Sequence, residues 1–205
     1  MLVRGLVYIP LPSSFCEDIK RYKRLIKPVI SPIHTKPLHC TLMAGRFYDG
    51  SRDDIVKSLE EIVIESFPIE LGKTGLSEGV YSEDTIITLV VPSQALHDLH
   101  VMVITKLQEY IDHDNTPPLS KRYRHNPGRK ESYLKYGNPH YGEFYIPHIA
   151  VAIVNKGTFI KRKYQLPKHK FLGETWEVDT FCLSTSSGDV TTDSFKLTHH
   201  PRIKL

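Results

Sequence analysis

Two histidines each open a short apolar run in which they are the only group that titrates near neutral pH. His39 sits in P-L-H-C-T-L-M, residues 37–43, and His148 in I-P-H-I-A-V-A-I, residues 146–153, each at or near a proline. Side chains of an extended strand alternate between faces. His39 and Thr41 are thus expected on one face, with Cys40 and Leu42 on the other. By the same alternation His148, Ala150 and Ala152 share a face opposed by Ile149, Val151 and Ile153. Imidazole takes up or gives away a proton near neutral pH, because its unperturbed pKa of about 6.5 lets one ring be neutral while another is charged. Two such rings brought together could act as a general base and a general acid. Taken singly, a histidine on an apolar strand is ordinarily a satisfied core or edge residue.

The elements that must position this pair follow from periodicity and punctuation. Residues 2–11 are rich in Val, Leu, Tyr and Ile and end at Pro10 and Pro12, which predicts a strand. Ser14 three residues before Glu17 forms a capping box, and Phe15, Ile19, Tyr22 and Ile26 recur at helical spacing up to Pro28. A Pro-rich passage, 27–37, leads to a strand at 38–44, and Asp49 with Gly50 marks a turn. A second helix begins near Ser51, with Ile55, Leu59, Ile62 and Val63 on its apolar stripe. Strands at 68–79 and 84–91 precede a third helix opened by Pro92 and Ser93, in which Leu96, Leu99, Val103, Leu107 and Tyr110 form the buried stripe. Residues 112–143 hold no sustained period and read as a long loop. The last strands are expected at 144–154, at 174–184 with apolar residues on both faces, and, after a turn at Gly188 and Asp189, at 194–197.

With the two histidine motifs in this order of elements, the chain resembles the two-histidine (2H) phosphoesterases, including their 2′-5′ RNA ligase-like and cyclic phosphodiesterase members. That family carries two H-x-[Thr/Ser]-hydrophobic motifs, one on each of two pseudo-symmetric lobes. His39-Cys40-Thr41-Leu42 fits the first fully. His148-Ile149-Ala150-Val151 fits the second except that Ala150 stands where a hydroxyl is expected. The resemblance implies an α+β fold, bilobal and pseudo-symmetric, with two antiparallel sheets flanked by helices around a central groove. It makes residues 1–205 a single bilobal domain carrying a basic, Tyr- and Arg-rich insertion at about 112–144.

The chemistry so implied is cleavage of a nucleotide phosphodiester without metal or cofactor: a 2′,3′-cyclic phosphate, or a 2′-5′-linked or cyclic oligonucleotide. His39 and His148 would be the catalytic pair, one removing a proton from the attacking oxygen and the other protonating the leaving oxygen on the far side of phosphorus. Thr41 would donate to a non-bridging phosphate oxygen. Ala150 either weakens the second half's hold on phosphate, leaves the hydroxyl to be replaced by a neighbour such as Tyr145, Ser184, Ser186 or a basic loop residue, or opens a floor on which a base can lie. Tyr145, Thr41 and Ala150 are thus the expected substrate-binding residues. Rival functions are RNA 2′-5′ end joining, which runs the same steps backwards, and a non-catalytic RNA- or nucleotide-binding module, for which Ala150 is the main argument.

Charge supports a phosphate-bearing partner. Residues 121–143 hold six Lys or Arg against two acids, and residues 161–170 hold five against none, so two basic stretches flank His148 in a chain of net charge +4. In the first stretch Tyr123, Tyr133, Tyr136 and Tyr141, with Tyr145 just after it, interleave with the cations. Aromatic faces stack on unpaired bases, so the loop could hold single-stranded RNA or a small nucleotide. It could equally be a self-packed surface insertion. Three cysteines, Cys16, Cys40 and Cys182, without a C-x-x-C pair argue against a disulfide framework or zinc knuckle. A cytoplasmic monomer without a membrane segment is expected. Gly72-Lys73-Thr74 lacks the earlier glycine of a P-loop, Phe67 standing there. His97 and His100 are expected on a solvated helix face, and Cys40 toward the core.

Overall fold

The computed structural model describes residues 3–26, 38–76, 85–153, 171–186 and 190–197. The Pro-rich passage 27–37, the second basic stretch and the turn at Gly188 and Asp189 lie outside them. Eight strands form one hydrogen-bonded order, β6-β3-β4-β5-β2-β1-β7-β8. In chain order the elements are β1 (Val3–Pro10), α1 (Ser13–Ile26), β2 (His39–Phe47), α2 (Arg52–Glu60), β3 (Phe67–Leu76) and β4 (Thr85–Val90). They continue with α3 (Gln94–Leu107), α4 (Pro127–Tyr136), β5 (His148–Ile153), β6 (Thr175–Val178), β7 (Thr180–Ser186) and β8 (Val190–Lys196). Every strand pairing is antiparallel, as expected for the α+β class. The two expected sheets are four-stranded halves, β2-β1-β7-β8 and β5-β4-β3-β6, and they join edge to edge where Cys40 pairs with Ile149.

The helices lock the halves together by crossing beneath them. α1 connects two strands of the first half but packs under the second: Phe15 stacks on Trp176 of β6 at 5.9 Å and meets Phe171 edge-on at 5.1 Å. Its buried residues are the four that recur at helical spacing, Phe15, Ile19, Tyr22 and Ile26. α3 belongs in sequence to the second half and packs against β2 of the first. Ser93 caps α3 by accepting from the Leu96 amide at 3.3 Å, and Leu96, Leu99, Val103, Ile104 and Leu107 are buried. Each such aliphatic side chain stabilises the fold by about 1.5–3 kcal/mol, so neither helix can leave its strand cheaply.

Several sequence expectations need correction. α1 begins at Ser13, so Ser14 lies inside it, and Glu17 pairs with Lys20 at 2.6 Å. α2 ends at Glu60 with Ile55 and Leu59 buried; Ile62 beyond it is also buried, whereas Val63 is 71% exposed. The strand expected at 144–154 begins only at His148, since Gly142–Phe144 form a 3-10 turn. The strand expected at 174–184 is two: β6 pairs with β3 and β7 with β1, so the chain passes between halves at Asp179. Residues 112–143 are no structureless loop. Asn126 accepts from the Arg129 amide at 3.0 Å, Pro127 occupies the first turn and Gly137 closes α4 at φ 67°.

Candidate active site

The junction of the halves is where the two histidines meet. β2 and β5 are antiparallel neighbours, and counting one residue outward from the Cys40–Ile149 pair sets His39 across from Ala150 and Thr41 across from His148. Cys40 and Ile149 are fully buried, whereas these four face the other side. Each strand then carries a bulge at the same distance from its histidine. Tyr8 pairs with Thr41 and Val7 with Met43, leaving Leu42 as the extra residue; Ile87 pairs with Ala150 and Ile86 with Ala152, leaving Val151 as the extra residue. Both bulged residues and the ones after them are buried. The hydrophobic fourth position of the motif therefore anchors a bend that turns the histidine end of each strand. The bulge also corrects the simple alternation: Ala152 enters the core and Ile153 is 38% exposed.

Local contacts set each ring's role. The His148 Nδ1–H donates to the Ile146 carbonyl at 2.8 Å, so in the neutral ring Nε2 is the nitrogen that bears the lone pair. Burial pushes the His148 pKa below the ordinary histidine range; the Ile146 carbonyl pulls it up and nearby His39 pushes it further down. His39 lies against the Tyr8 ring, with centroids 5.3 Å apart. The Tyr8 hydroxyl is itself raised above its usual pKa, mainly by burial and by Cys182. Tyr8 was not visible as a site residue in the sequence, because nothing local marks which strand will pair beside β2.

Thr41, Tyr145 and His148 line one small cavity, while His39 and Ala150 line a neighbouring groove. The Tyr145 hydroxyl donates to the Thr41 carbonyl at 2.9 Å and its ring stacks on His100 at 3.8 Å. Tyr145 thus holds the approach to β5 against β2, and its proton is committed to the backbone. His100 does not lie on a solvated face. It is fully buried, with Nδ1–H donating to the Leu42 carbonyl at 2.8 Å and Nε2 accepting from the Gly142 amide at 3.0 Å. Burial pushes its pKa down to about 4, so the ring is a neutral brace between the bulge of β2 and the turn before β5. Cys40, as expected, faces the core, and burial pushes its thiol up to about 11.

The groove, about 1070 Å³, runs between the first half's exposed face and the 112–144 insertion. Tyr8, Ser184, Thr192 and Arg4 form one wall, and Tyr123, Tyr133, Tyr136 and His140 the other. The insertion is pinned to β2: the Tyr141 hydroxyl bonds the Ala44 amide and carbonyl, Arg46 donates to the Asn115 carbonyl, and the Asp112 amide donates to the Arg46 carbonyl at 2.9 Å. Tyr141 is consequently buried and cannot offer a stacking face. Ser184 and Ser186 lie on β7, three strands from β5 in the sheet order, and line the same groove as Ala150. Among the described residues no three His, Cys, Asp or Glu side chains cluster as metal ligands, and no helix is long and apolar enough to cross a membrane.

Comparison with known proteins agrees with this architecture. The family model described as the 2′-5′ RNA ligase superfamily matches residues 11–190. Protein TT0787 of Thermus thermophilus superposes with a TM-score of 0.62 at 15% identity, covering 97% of this chain and 100% of that one. LigT of E. coli complexed with 3′-AMP gives 0.60 at 16% identity, covering 95% of both chains. Usb1 of Kluyveromyces marxianus gives 0.53 at 11% identity, covering 96% of this chain and 98% of that one. No curated protein matches the chain by sequence.

Proposed function

The chain belongs to the 2′-5′ RNA ligase superfamily of 2H phosphoesterases, and on that premise we propose that it is a metal-independent phosphodiesterase of nucleotides, cleaving 2′,3′-cyclic, 2′-5′-linked or cyclic substrates. One observation carries most of the weight: two imidazoles from facing strands share one side of the sheet, close enough for His39 to disfavour a charge on His148. Two like rings at that range resist carrying charge together, so one holds a proton while the other is neutral.

In hydrolysis of a cyclic phosphate, His148 is the base. Its Nδ1–H is tied to the Ile146 carbonyl, and its lowered pKa leaves Nε2 with a lone pair to take a proton from the attacking water. The water oxygen bonds phosphorus, the P–O bond to one ribose oxygen breaks, and protonated His39 gives its proton to that oxygen. Thr41, across from His148, donates to a non-bridging oxygen as charge builds there. The tyrosine-walled groove beside His39 receives the nucleoside or the rest of the strand. End joining is the same sequence with a ribose hydroxyl in place of water as the group that attacks phosphorus.

The test is turnover of 2′,3′-cyclic nucleotides, 2′-5′ oligoadenylate and cyclic dinucleotides in excess chelator. Turnover that persists there and disappears in His39→Ala and in His148→Ala is the expected result. An absolute need for a divalent cation, or activity surviving both substitutions, refutes the mechanism. Binding without turnover in the wild type points to a binding module instead.

A further inference from the structure

We propose that His140 is a third substrate-contacting residue, a ring N–H donor that reaches the phosphate from the side where Ala150 offers no hydroxyl. The inference rests on the two-histidine reading for the location of phosphate. His140 lies in the insertion, outside both histidine motifs, and nothing in its sequence surroundings marks it as functional.

Position is the first argument. The small cavity is lined by Thr41, Tyr145 and His148, and the groove by His39 and Ala150; among the described residues lining either space, only His140 borders both. A group at that boundary faces whatever lies between the catalytic rings. Of the other named substitutes, Tyr145 donates to the Thr41 carbonyl, and Ser184 and Ser186 line the groove and not the small cavity that holds Thr41 and His148.

The ring is also held as a donor. Arg129 Nη1 lies 3.0 Å from His140 Nδ1 and 3.1 Å from the Pro139 carbonyl oxygen. A guanidinium nitrogen only donates, so Nδ1 carries the lone pair and Nε2 carries the hydrogen. The His140 amide donates to Asn138 Oδ1 at 3.0 Å, and Tyr123 meets the ring edge-on at 5.0 Å. Arg129 is fixed in turn over the Phe144 ring at 4.7 Å, and Gly128 permits that packing, since a Cβ there would come within 2.8 Å of Phe144.

Protonation state completes the case. Burial, then Arg129, Arg122 and His148, lower the His140 pKa to about 4. The ring is therefore neutral wherever the two catalytic histidines work. It supplies a hydrogen bond without competing for the transferred protons, which is what a threonine hydroxyl would supply.

The experiment uses the full chain, with adenosine 3′-monophosphate and inorganic phosphate as calorimetric probes and 2′,3′-cyclic AMP as substrate. His140→Ala should weaken 3′-AMP binding about 10–100-fold and lower kcat/KM by a similar factor, with the pH limbs and the melting temperature unchanged. His140→Gln, which can accept from Arg129 through Oε1 and donate through Nε2, should recover most of both. Binding and kcat/KM within about twofold of wild type in His140→Ala overturn the proposal and leave the two-histidine mechanism intact. So does a loss that Gln fails to restore and that tracks a fall in melting temperature. A wild type that binds 3′-AMP in a His140-dependent way but turns nothing over upholds the contact and sinks the hydrolase. A wild type that binds neither probe sinks both.

Discussion

The two halves of the sheet repeat one device and then part company. Each begins a strand with histidine, places a small side chain two residues later on the same face, and buries an extra residue one position beyond that, Leu42 in β2 and Val151 in β5. The first half keeps a hydroxyl at the small position, Thr41, and its bulge is bonded by His100. The second has Ala150 there, lining the groove that His140 of the insertion also borders. The fold repeats what sets the direction of two imidazoles; it leaves the phosphate contacts free to differ. On the proposed mechanism, symmetry is demanded of proton transfer and not of anion binding.

Substitutions can break that comparison in order of size. Removing either ring should be most severe and nearly equal in both halves: His39→Ala and His148→Ala each lower kcat by about 10²–10⁴, with the double variant little worse than the poorer single one, measured by single-turnover cleavage. A gap of more than about tenfold between the singles would mean the halves do unequal chemistry. Thr41→Val, which keeps shape and removes the donor, should cost about 100-fold in kcat with KM little changed.

A stability effect of similar weight belongs to the His100 brace between the bulge of β2 and the turn before β5. His100 stays neutral in the folded protein down to about pH 4, whereas an unfolded histidine protonates near 6.5. The unfolded chain thus binds the proton first, so this contribution is full above pH 6.5 and falls as pH drops toward 4. Between pH 7 and 5 the loss is up to about 2 kcal/mol, read from urea unfolding, and His100→Gln should be weaker at pH 7 but show a shallower fall. An unchanged slope would remove His100 from the brace. The smallest effect is expected from Ala150→Ser, under about tenfold in kcat/KM, because a donor already serves that side. A large gain there would show the position to be functionally vacant.

Much of this was legible beforehand. Both histidine strands, their polar faces and the helices α1 and α3 follow from period and punctuation alone, because residues such as Phe15, Ile19, Leu96 and Leu99 are buried by the same periodicity that reveals them. The bulges were not, since one extra residue leaves no mark in composition and yet moves Ala152 to the opposite face. α4 escaped although Asn126, Pro127 and Gly137 spell its ends, because its apolar face is thin and Ser132 is its one buried residue. His100 looked solvated because its partners, Leu42 and Gly142, are distant in sequence. A partner so remote cannot be inferred from neighbours along the chain, and His140 escaped because the cavity and groove it borders are shared with Thr41 and His39, far back in the sequence.

The interleaving of the halves also sets a timetable for synthesis. β1 and β2 emerge early, yet the strand that covers the outer edge of β1 is β7, about 170 residues later along the chain. A nascent chain therefore carries an uncovered, hydrogen-bond-hungry edge until those further residues have been made. β3, β4 and β5 of the second half can pair among themselves first, while the N-terminal strands must wait for β7 to leave the ribosome before they are sealed.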